Sequence, residues 1–310
     1  MILNNSAGRE LRPARIAARC FNGPLSFVYL ALLILLSSAC GGTTDASSQE
    51  RLRVVATTAI LADLVLNVGG GRIEVHTLVP PGVDIHSFQT TPDDSKAIGR
   101  AALIFANGSG LDDFLDPVIN GAKSSRGVHV VTSLGLDLTL DSPDPHFWQN
   151  PLFVVEYVET IRDALVAADP DGGPEYDSNA AGYIQQLRDL DREIETMLVQ
   201  VPEQSRHLVT FHDAFGHFTG RYGWQSSSFT AGDATEVTPG AMVALMELID
   251  SQGIQAVFAE PQLRPGAIRS LSQDGQLKVG TIYSDGLDDK VSTYLDMMRF
   301  NANSLLEYLR

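Results

Sequence analysis

The chain has 310 residues and a formal net charge of −16 at pH 7, with 44% hydrophobic and 19% charged residues. This length is sufficient for two buried cores, and the composition is typical of a globular chain and excludes disorder for most of it. The acidic charge argues against nucleic acid as a partner, because binding to phosphates requires clustered lysine and arginine side chains.

The first 40 residues resemble an export signal. Arginines precede the apolar run 25–36, which is too short to cross a membrane as an ordinary helix. Small residues at 37–39 then precede Cys40, an order that resembles the cleavage box of bacterial lipoproteins. We expect residues 1–39 to be a signal peptide and residues 40–51 to be a tether with its lipid on Cys40. A secreted protein with one free thiol and an uncleaved membrane helix are the alternatives.

Two consequences follow for the mature chain. Cys20 lies within the segment to be removed, so no internal disulfide is expected. The body left after cleavage is acidic as a whole, so we expect an acyl group to hold it at a membrane without electrostatic help from anionic lipids.

From residue 52 onward, short β-rich runs alternate with amphipathic stretches, which is typical of parallel sheets covered by helices. In the first half the predicted strands are 53–56, 73–79, 103–106 and 128–132, and the predicted helices are 60–68, 92–100, 111–122 and 151–168. In the second half the predicted strands are 207–211, 226–229, 256–259 and 278–282, and the predicted helices are 214–222, 239–251, 266–274 and 291–309.

A long helix is predicted between the halves. Apolar residues recur every three or four positions over residues 174–199, and Pro202 marks the stop. At 1.5 Å per residue this helix is about 39 Å long, which is enough to bridge two lobes. The predicted fold is therefore α/β, with an N-terminal lobe (52–173) and a C-terminal lobe (201–310), each a mostly parallel sheet flanked by helices, joined by one long backbone helix (174–200). An ordinary long surface helix is the alternative.

Three of the seven histidines stand where a predicted strand ends or a loop begins. His86 follows the second strand, His212 follows the fifth, and His146 lies in a proline-flanked loop before a helix. In open α/β sheets, ligands bind at the carboxyl ends of strands, so these imidazoles are expected to face one crevice. Asp285, after the last predicted strand, could add a carboxylate.

Imidazole is a common ligand of late first-row metals, and an anionic carboxylate complements it. Three imidazoles and one carboxylate would complete a four-coordinate site with no position left for a reacting water. The residues alone leave open whether these histidines bind a metal or are unrelated loop residues.

Four segments of the chain form distinctive motifs: 83–92 (VDIHSFQTTP), 144–151 (DPHFWQNP), 211–218 (FHDAFGHF) and 293–302 (TYLDMMRFNA). They resemble motifs of the zinc/manganese solute-binding lipoproteins of ABC importers. Residues 144–151 (DPHFWQNP) are similar to that family's Asp-Pro-His-hydrophobic-Trp-x-Asp-Pro signature. Residues 83–92 (VDIHSFQTTP) and 211–218 (FHDAFGHF) are similar to two further histidine motifs, and residues 293–302 (TYLDMMRFNA) resemble the closing helix. The resemblance covers nearly all of residues 52–310.

The resemblance implies metal binding between two lobes, with His86 and His146 from the N-terminal lobe and His212 and Asp285 from the C-terminal lobe. It also implies a monomer without enzymatic activity that serves the permease and ATPase of an importer, on the extracytoplasmic side of the membrane. Zinc (Zn2+) is the expected cargo because the ligand set is rich in nitrogen. Manganese (Mn2+) is the alternative, since the His-rich loop of many zinc-specific members is absent between residues 118 and 143.

Neighbouring polar residues receive supporting roles. Asp213 is expected to cap a helix or to contact a ligand from behind, and Glu260 either to support a ligand or to replace Asp285 as the fourth one. His217 lies five residues beyond His212 on a predicted helix, so it is expected to turn away from the site.

Three other classes of function are alternatives to metal capture. An extracellular zinc-dependent hydrolase would need an open coordination position and a general base, and the chain contains no His-Glu-x-x-His run. A siderophore- or haem-binding protein on the same two-lobe plan would need a wide aromatic or arginine-lined cleft. A role in cell adhesion, proposed for some members of the family, is not addressed by the sequence.

Overall fold

The computed structural model describes residues 50–136, 144–230, 238–263 and 277–310. Glu50–Arg310 form one compact unit. The predicted signal peptide, Cys40, most of the predicted tether and the predicted helix 266–274 lie outside the described residues. Within these described ranges, every helix is too short or too polar to cross a membrane.

The first half contains one four-stranded sheet. Its elements are β1 (Leu52–Thr58), α1 (Ala59–Gly69), β2 (Ile73–Val79), α2 (Pro92–Arg100), β3 (Leu103–Ala106), α3 (Asp116–Ala122) and β4 (Val128–Val131). The strand order is β2-β1-β3-β4, and all neighbouring pairs are parallel. The carboxyl ends of the four strands therefore meet at one edge, and their amino ends meet at the opposite edge.

Two helices connect the halves. They are α4 (Pro151–Ala168) and α5 (Gly173–Leu198). Asn150 begins α4 by accepting a hydrogen bond from the Leu152 amide at 3.0 Å, and a proline occupies the first turn of each helix. The buried face of α5 repeats every three or four residues, as the sequence pattern predicts.

The second half contains two parallel strand pairs. Its elements are β5 (His207–Thr210), α6 (Gly216–Tyr222), β6 (Gln225–Ser228), α7 (Pro239–Gln252), β7 (Ala256–Ala259), β8 (Lys278–Thr281) and α8 (Tyr294–Leu309). β5 pairs with β6, and β7 pairs with β8. β5 also lies beside β7.

One large hydrophobic cluster joins the first sheet, α1, α4, α5 and α8, and it includes the buried rings of Tyr157, Tyr176 and Tyr294. Burial of this apolar surface is the main favourable contribution to folding. Two smaller clusters lie beneath α2 and α3 and beneath α7. Helix α5 thus packs against elements of both halves, which is the role predicted for the linking helix.

The elements largely coincide with their predicted positions, and α2 and α4 have the predicted bounds. The predicted helix 111–122 is wrong in its first turns, where a 3-10 turn (Asp113–Leu115) precedes the shorter α3. The predicted helices that begin at residues 214 and 291 begin instead at Gly216 and Tyr294. In the first of these, residues 213–215 lie between His212 and the start of α6.

Candidate metal centre

Each predicted ligand follows a strand or precedes a helix. His86 lies in a 3-10 turn (Ile85–Ser87) after β2, and its amide donates to Asp84 Oδ1 at 2.9 Å. His146 begins a second 3-10 turn (Phe147–Gln149) that leads into α4. His212 follows β5, and Asp285 follows β8. The backbone of all four residues is fixed by the ends of regular elements, as expected for sites in α/β proteins.

The structure brings the four predicted ligands together. One ligand atom from each of His86, His146, His212 and Asp285 lies within 4.8 Å of the others. Nε2 of His212 lies 2.9 Å from the Asp285 carboxylate, and Nε2 of His86 and of His146 each lie 3.5 Å from it. In a tetrahedral zinc site with ligand distances of 2.0–2.1 Å, the ligand atoms are about 3.3 Å apart.

The cluster is enclosed. His146, His212 and Asp285 are buried, with 2%, 3% and 6% of their surfaces exposed, and His86 is partly buried. Nε2 of His146 and both carboxylate oxygens of Asp285 are inaccessible and make no well-aligned hydrogen bond within the described ranges. Buried polar atoms are normally satisfied, so this convergence of lone pairs fits a bound cation.

Electrostatics tie His212 to Asp285. Burial disfavours the charged imidazole, but the carboxylates of Asp285 and Glu260 outweigh it and hold the pKa of His212 well above its ordinary value. Burial also disfavours the Asp285 carboxylate, but His212 and His146 together hold its pKa well below its ordinary value. Metal ligands bind in their deprotonated forms, so cation binding at this cluster is expected to depend on pH.

Glu260, at the end of β7, lies behind His212. Its Oε2 lies 2.5 Å from Nδ1 of His212, and its Oε1 accepts the amides of Phe211 at 2.9 Å and of His212 at 3.3 Å. The Ser284 hydroxyl also donates to Oε2 at 2.6 Å. Glu260 thus contacts Nδ1 of His212, while Nε2 of His212 lies against Asp285.

Asp144 supports His146 in the same manner. Its Oδ1 accepts the His146 amide at 3.0 Å and lies 2.6 Å from Nδ1 of the ring. The hydrogen bond holds the pKa of Asp144 below its ordinary value despite the opposing effect of burial. Sequence reasoning assigned Asp144 no role, although its position two residues before His146 in a loop was a usable signal.

The remaining candidates lie outside the cluster. Asp213 is exposed and does not cap α6, whose first flanking residue is Phe215. His217 is buried and stacks on Phe147 with ring centroids 4.7 Å apart. Its Nε2 lies 2.9 Å from the Asp144 carbonyl oxygen, so it contacts the loop of His146 and not the ligand cluster.

The two halves meet across the cluster through Ser284. Its carbonyl oxygen accepts hydrogen bonds from Trp148 Nε1 at 2.7 Å and from Gln149 Nε2 at 2.9 Å. The Tyr294 hydroxyl donates to the Trp148 carbonyl at 2.7 Å. The backbone next to Asp285 is therefore held directly against the turn that follows His146.

A protein-family model described as "Zinc-uptake complex component A periplasmic" (ZnuA) matches residues 54–308. The manganese-binding lipoprotein MntA of Halalkalibacterium halodurans is 31% identical over 299 residues, which is 92% of this chain and 97% of that protein. The manganese ABC transporter substrate-binding lipoprotein PsaA of Streptococcus pneumoniae is 30% identical over 300 residues, covering 91% of this chain and 96% of PsaA.

Solved structures show the same fold. The periplasmic zinc-binding protein TroA of Treponema pallidum superposes with a TM-score of 0.77 at 28% identity, covering 84% of this chain and 99% of TroA. The manganese-bound periplasmic metal-binding protein of Candidatus Liberibacter asiaticus gives a TM-score of 0.75 at 25% identity, covering 83% of this chain and 99% of that one. The predicted architecture of two α/β lobes and a linking helix is confirmed.

Proposed function

This chain belongs to the ZnuA family of metal-uptake components, and we propose from that premise that it captures zinc with His86, His146, His212 and Asp285. Members of the family are solute-binding proteins of ABC importers and not enzymes, so the chain serves a permease and an ATPase. The prediction of a non-enzymatic metal-binding protein is thereby confirmed, and the hydrolase alternative is set aside.

The observation that carries the proposed site is the convergence of four buried ligand atoms from both halves of the chain. Because two ligands come from each half, a bound cation would hold the halves together. All three imidazole Nε2 atoms face the Asp285 carboxylate, and His146 and His212 each present Nδ1 to a supporting carboxylate. This arrangement binds and holds a cation and leaves no ligand position for catalysis.

We favour zinc because three nitrogen ligands and one carboxylate suit it better than manganese, which prefers oxygen donors. The names of the relatives do not agree on the metal, since MntA and PsaA are named for manganese and TroA is named for zinc. Affinity in vitro does not decide between them, because zinc exceeds manganese in the Irving–Williams order at most sites.

Direct binding is the first test. Calorimetric titration of the metal-free protein with zinc is expected to give one equivalent, and His146→Ala is expected to weaken binding more than a hundredfold, beyond the range seen for supporting residues. His217→Ala is the matched control, because His217 contacts the same loop without facing the cluster. Equal losses in both variants, or two equivalent sites, would contradict the assignment.

Thermal unfolding is an independent readout of the same site. A ligand that binds only the folded state stabilises it by about 4 kcal/mol at a thousandfold excess over Kd. Zinc is therefore expected to raise the melting temperature of the wild type and of His217→Ala, and to leave His146→Ala nearly unchanged. If neither zinc nor manganese raised the melting temperature of the wild type, the proposal of a preformed site would be wrong.

The physiological cargo requires a growth experiment. A strain that lacks the gene is expected to grow poorly under chelation and to recover when zinc is added, but not when manganese is added at the same concentration. Complementation with His146→Ala should fail to restore growth without added metal. Rescue by manganese alone would mean that the cargo is manganese and not zinc. The proposed site residues would remain the same.

We further propose that Cys40 carries a lipid that holds the protein outside the cytoplasm at a membrane, and that the protein acts as a monomer. The relatives named as lipoproteins support this location. Cys40→Ser is expected to move the protein from the membrane fraction to the soluble one without a change in metal affinity. Full retention of this variant in the membrane fraction would rule out the lipid on Cys40.

A further inference from the structure

The starts of β1, β3 and β4, at the amino edge of the first sheet, are basic, although the chain as a whole is acidic. We call this surface the basic edge and define it by five cations, Arg51, Arg53, Arg100, Lys123 and Arg126. Each stands next to the start of a strand, with two of them at β1, one before β3 and two before β4. Four of the five are exposed, and Lys123 is partly buried.

Contacts in the backbone bring these cations to one continuous surface. The Ala102 amide donates to the Arg53 carbonyl at 2.8 Å, and the Val128 amide donates to the Ala102 carbonyl at 3.0 Å, which ties the starts of β1, β3 and β4 side by side. A methyl group at Gly127 would lie 3.3 Å from the Ala101 oxygen and 3.6 Å from Lys123 Cβ. The ends of α2 and α3 therefore meet at the start of β4.

The carboxylates near the basic edge do not match its five cations, because Asp169, at the neighbouring start of β2, is already paired with Arg72. Within the described ranges, Arg53 is the one member that forms an ion pair, and its partner Glu50 is itself 81% exposed. Glu74 lies opposite Arg53 in the register of β1 and β2. Arg53 and Arg100 also line one cleft of about 220 Å³. The edge therefore keeps an excess of positive charge.

The opposite edge of the same sheet has the opposite charge. The loops at the carboxyl ends of the strands carry Asp84, Asp112, Asp113 and Asp144 near the candidate metal centre. β1 has seven residues, so the two edges are about 23 Å apart, which is well beyond the screening length of about 8 Å at physiological salt. The acidic residues near the centre thus do not cancel the field at the basic edge.

We infer that the basic edge binds the anionic headgroups of a membrane. Arg51 and Arg53 stand at the start of β1, eleven and thirteen residues after Cys40 in the sequence. Val128, 53% exposed at the start of β4, adds an apolar side chain to the same surface. Headgroup contacts would lay the first lobe on the membrane by this edge, with the candidate metal centre at the far end of the sheet.

The inference rests on the extracytoplasmic, membrane-proximal location in the proposed function, and it is independent of metal binding. Vesicles of phosphatidylcholine alone are compared with vesicles that contain one-third phosphatidylglycerol, using the exported Cys40→Ser protein. Any affinity from the N-terminal segment is common to both kinds of vesicle, so the ratio of the two partition coefficients isolates the effect of charge.

The test variant is Arg100→Glu/Arg126→Glu, and the control is Arg188→Glu/Lys290→Glu, which makes the same change in charge at two exposed residues outside the edge. We expect the wild type and the control to prefer the anionic vesicles. In the test variant, the ratio of the two partition coefficients should fall at least about tenfold. Raising the salt to about 0.5 M should abolish the preference.

Arg100→Gln/Arg126→Gln should give a smaller loss, and zinc titration of every variant checks that the fold and the metal centre are intact. Equal partition of the wild type into both kinds of vesicle would overturn the inference. An equal loss in the control would also overturn it, because overall charge and not the basic edge would then determine binding. A protein that binds no zinc but prefers anionic vesicles would refute the proposed cargo and leave the basic edge standing.

Discussion

The two halves of the molecule hold their inward-facing histidines by different means. In the first half, Asp144 supports His146 from two residues away in the same loop, and its side chain is 18% exposed. In the second half, Glu260 supports His212 from a strand 48 residues further along the chain, and its side chain is fully buried. The first arrangement depends on a local turn, and the second depends on the packing of β5 beside β7.

We therefore expect the second half to tolerate replacement of its supporting carboxylate less well than the first half does. Glu260 satisfies two amides, one hydroxyl and one imidazole, and water has no access to replace it. Asp144 is closer to solvent, so water can replace part of its hydrogen bonding. A removed partner in a buried network leaves the other groups unsatisfied at a cost of about 1–3 kcal/mol each.

Glu260→Gln is therefore expected to have the largest effect among the supporting residues. The neutral amide is a weaker acceptor than the carboxylate for the Nδ1–H of His212 and presents an N–H where His212 and Ser284 need an acceptor, so zinc affinity should fall by about 10- to 100-fold. Asp144→Asn should lower affinity by a smaller factor. Calorimetric titration of both variants measures the difference.

Glu247→Gln, at an exposed position on α7, is the control for loss of one carboxylate and should bind zinc as the wild type does. If Asp144→Asn weakened binding more than Glu260→Gln, the contrast between a local and a long-range support would be wrong.

The same contrast explains what the sequence could predict. Strands and helices were predictable because the apolar pattern and the residues at helix starts are local, as in the capping box of Thr91 and Asp94. The roles of Ser284 and Tyr294 against Trp148 were not, because these contacts join residues more than 130 positions apart. Strand-end positions and the family resemblance singled out the four candidate ligands, and the structure brings these four side chains together.

The charge of the chain shows a further limit of composition. A strongly acidic total leads to the expectation of no electrostatic help from anionic lipids, but it does not show that five cations stand together at the starts of β1, β3 and β4. A total charge does not contain this information, since it appears only when the order of elements is combined with the parallel direction of the strands.

A second comparison concerns two arginine–aspartate ion pairs, one just before α5 and one within it. At the amino end, Arg72 donates to Asp169 at 2.9 and 3.1 Å, and the Tyr176 hydroxyl donates to the same carboxylate at 2.7 Å. Arg221 makes the corresponding contacts to Asp191 at 2.9 and 2.6 Å, further along the helix. The two ion pairs differ in depth, because the Asp169 side chain is 20% exposed and that of Asp191 is 6% exposed.

Arg221→Met is expected to lower the free energy of unfolding by about 2–3 kcal/mol, because it leaves the buried Asp191 carboxylate without its cation. Arg72→Met should cause a smaller loss, since water can solvate Asp169. Urea unfolding of the metal-free proteins measures both values. Arg192→Met removes an exposed ion pair with Asp189 and should be nearly neutral. Equal losses from Arg221→Met and Arg72→Met would show that the burial of the aspartate does not determine how much each ion pair contributes to stability.

The smallest expected effect is a pH dependence at the amino end of α5. Burial opposes the Asp169 carboxylate, but hydrogen bonds from Tyr176 and Arg72 outweigh it, so the pKa of Asp169 is lower in the folded protein than its ordinary value. A carboxyl group with a lowered pKa adds stability above its unfolded pKa of about 3.9, and this stability is lost as the pH falls through the folded value. The difference in unfolding free energy between wild type and Asp169→Asn should therefore be present at pH 7 and be lost in acid, as the pH falls through the lowered pKa of Asp169. Urea unfolding across this range measures it, with Asp177→Asn on the exposed face of the same helix as the control. A difference that stays constant with pH would mean that Asp169 contributes through packing and not through its charge.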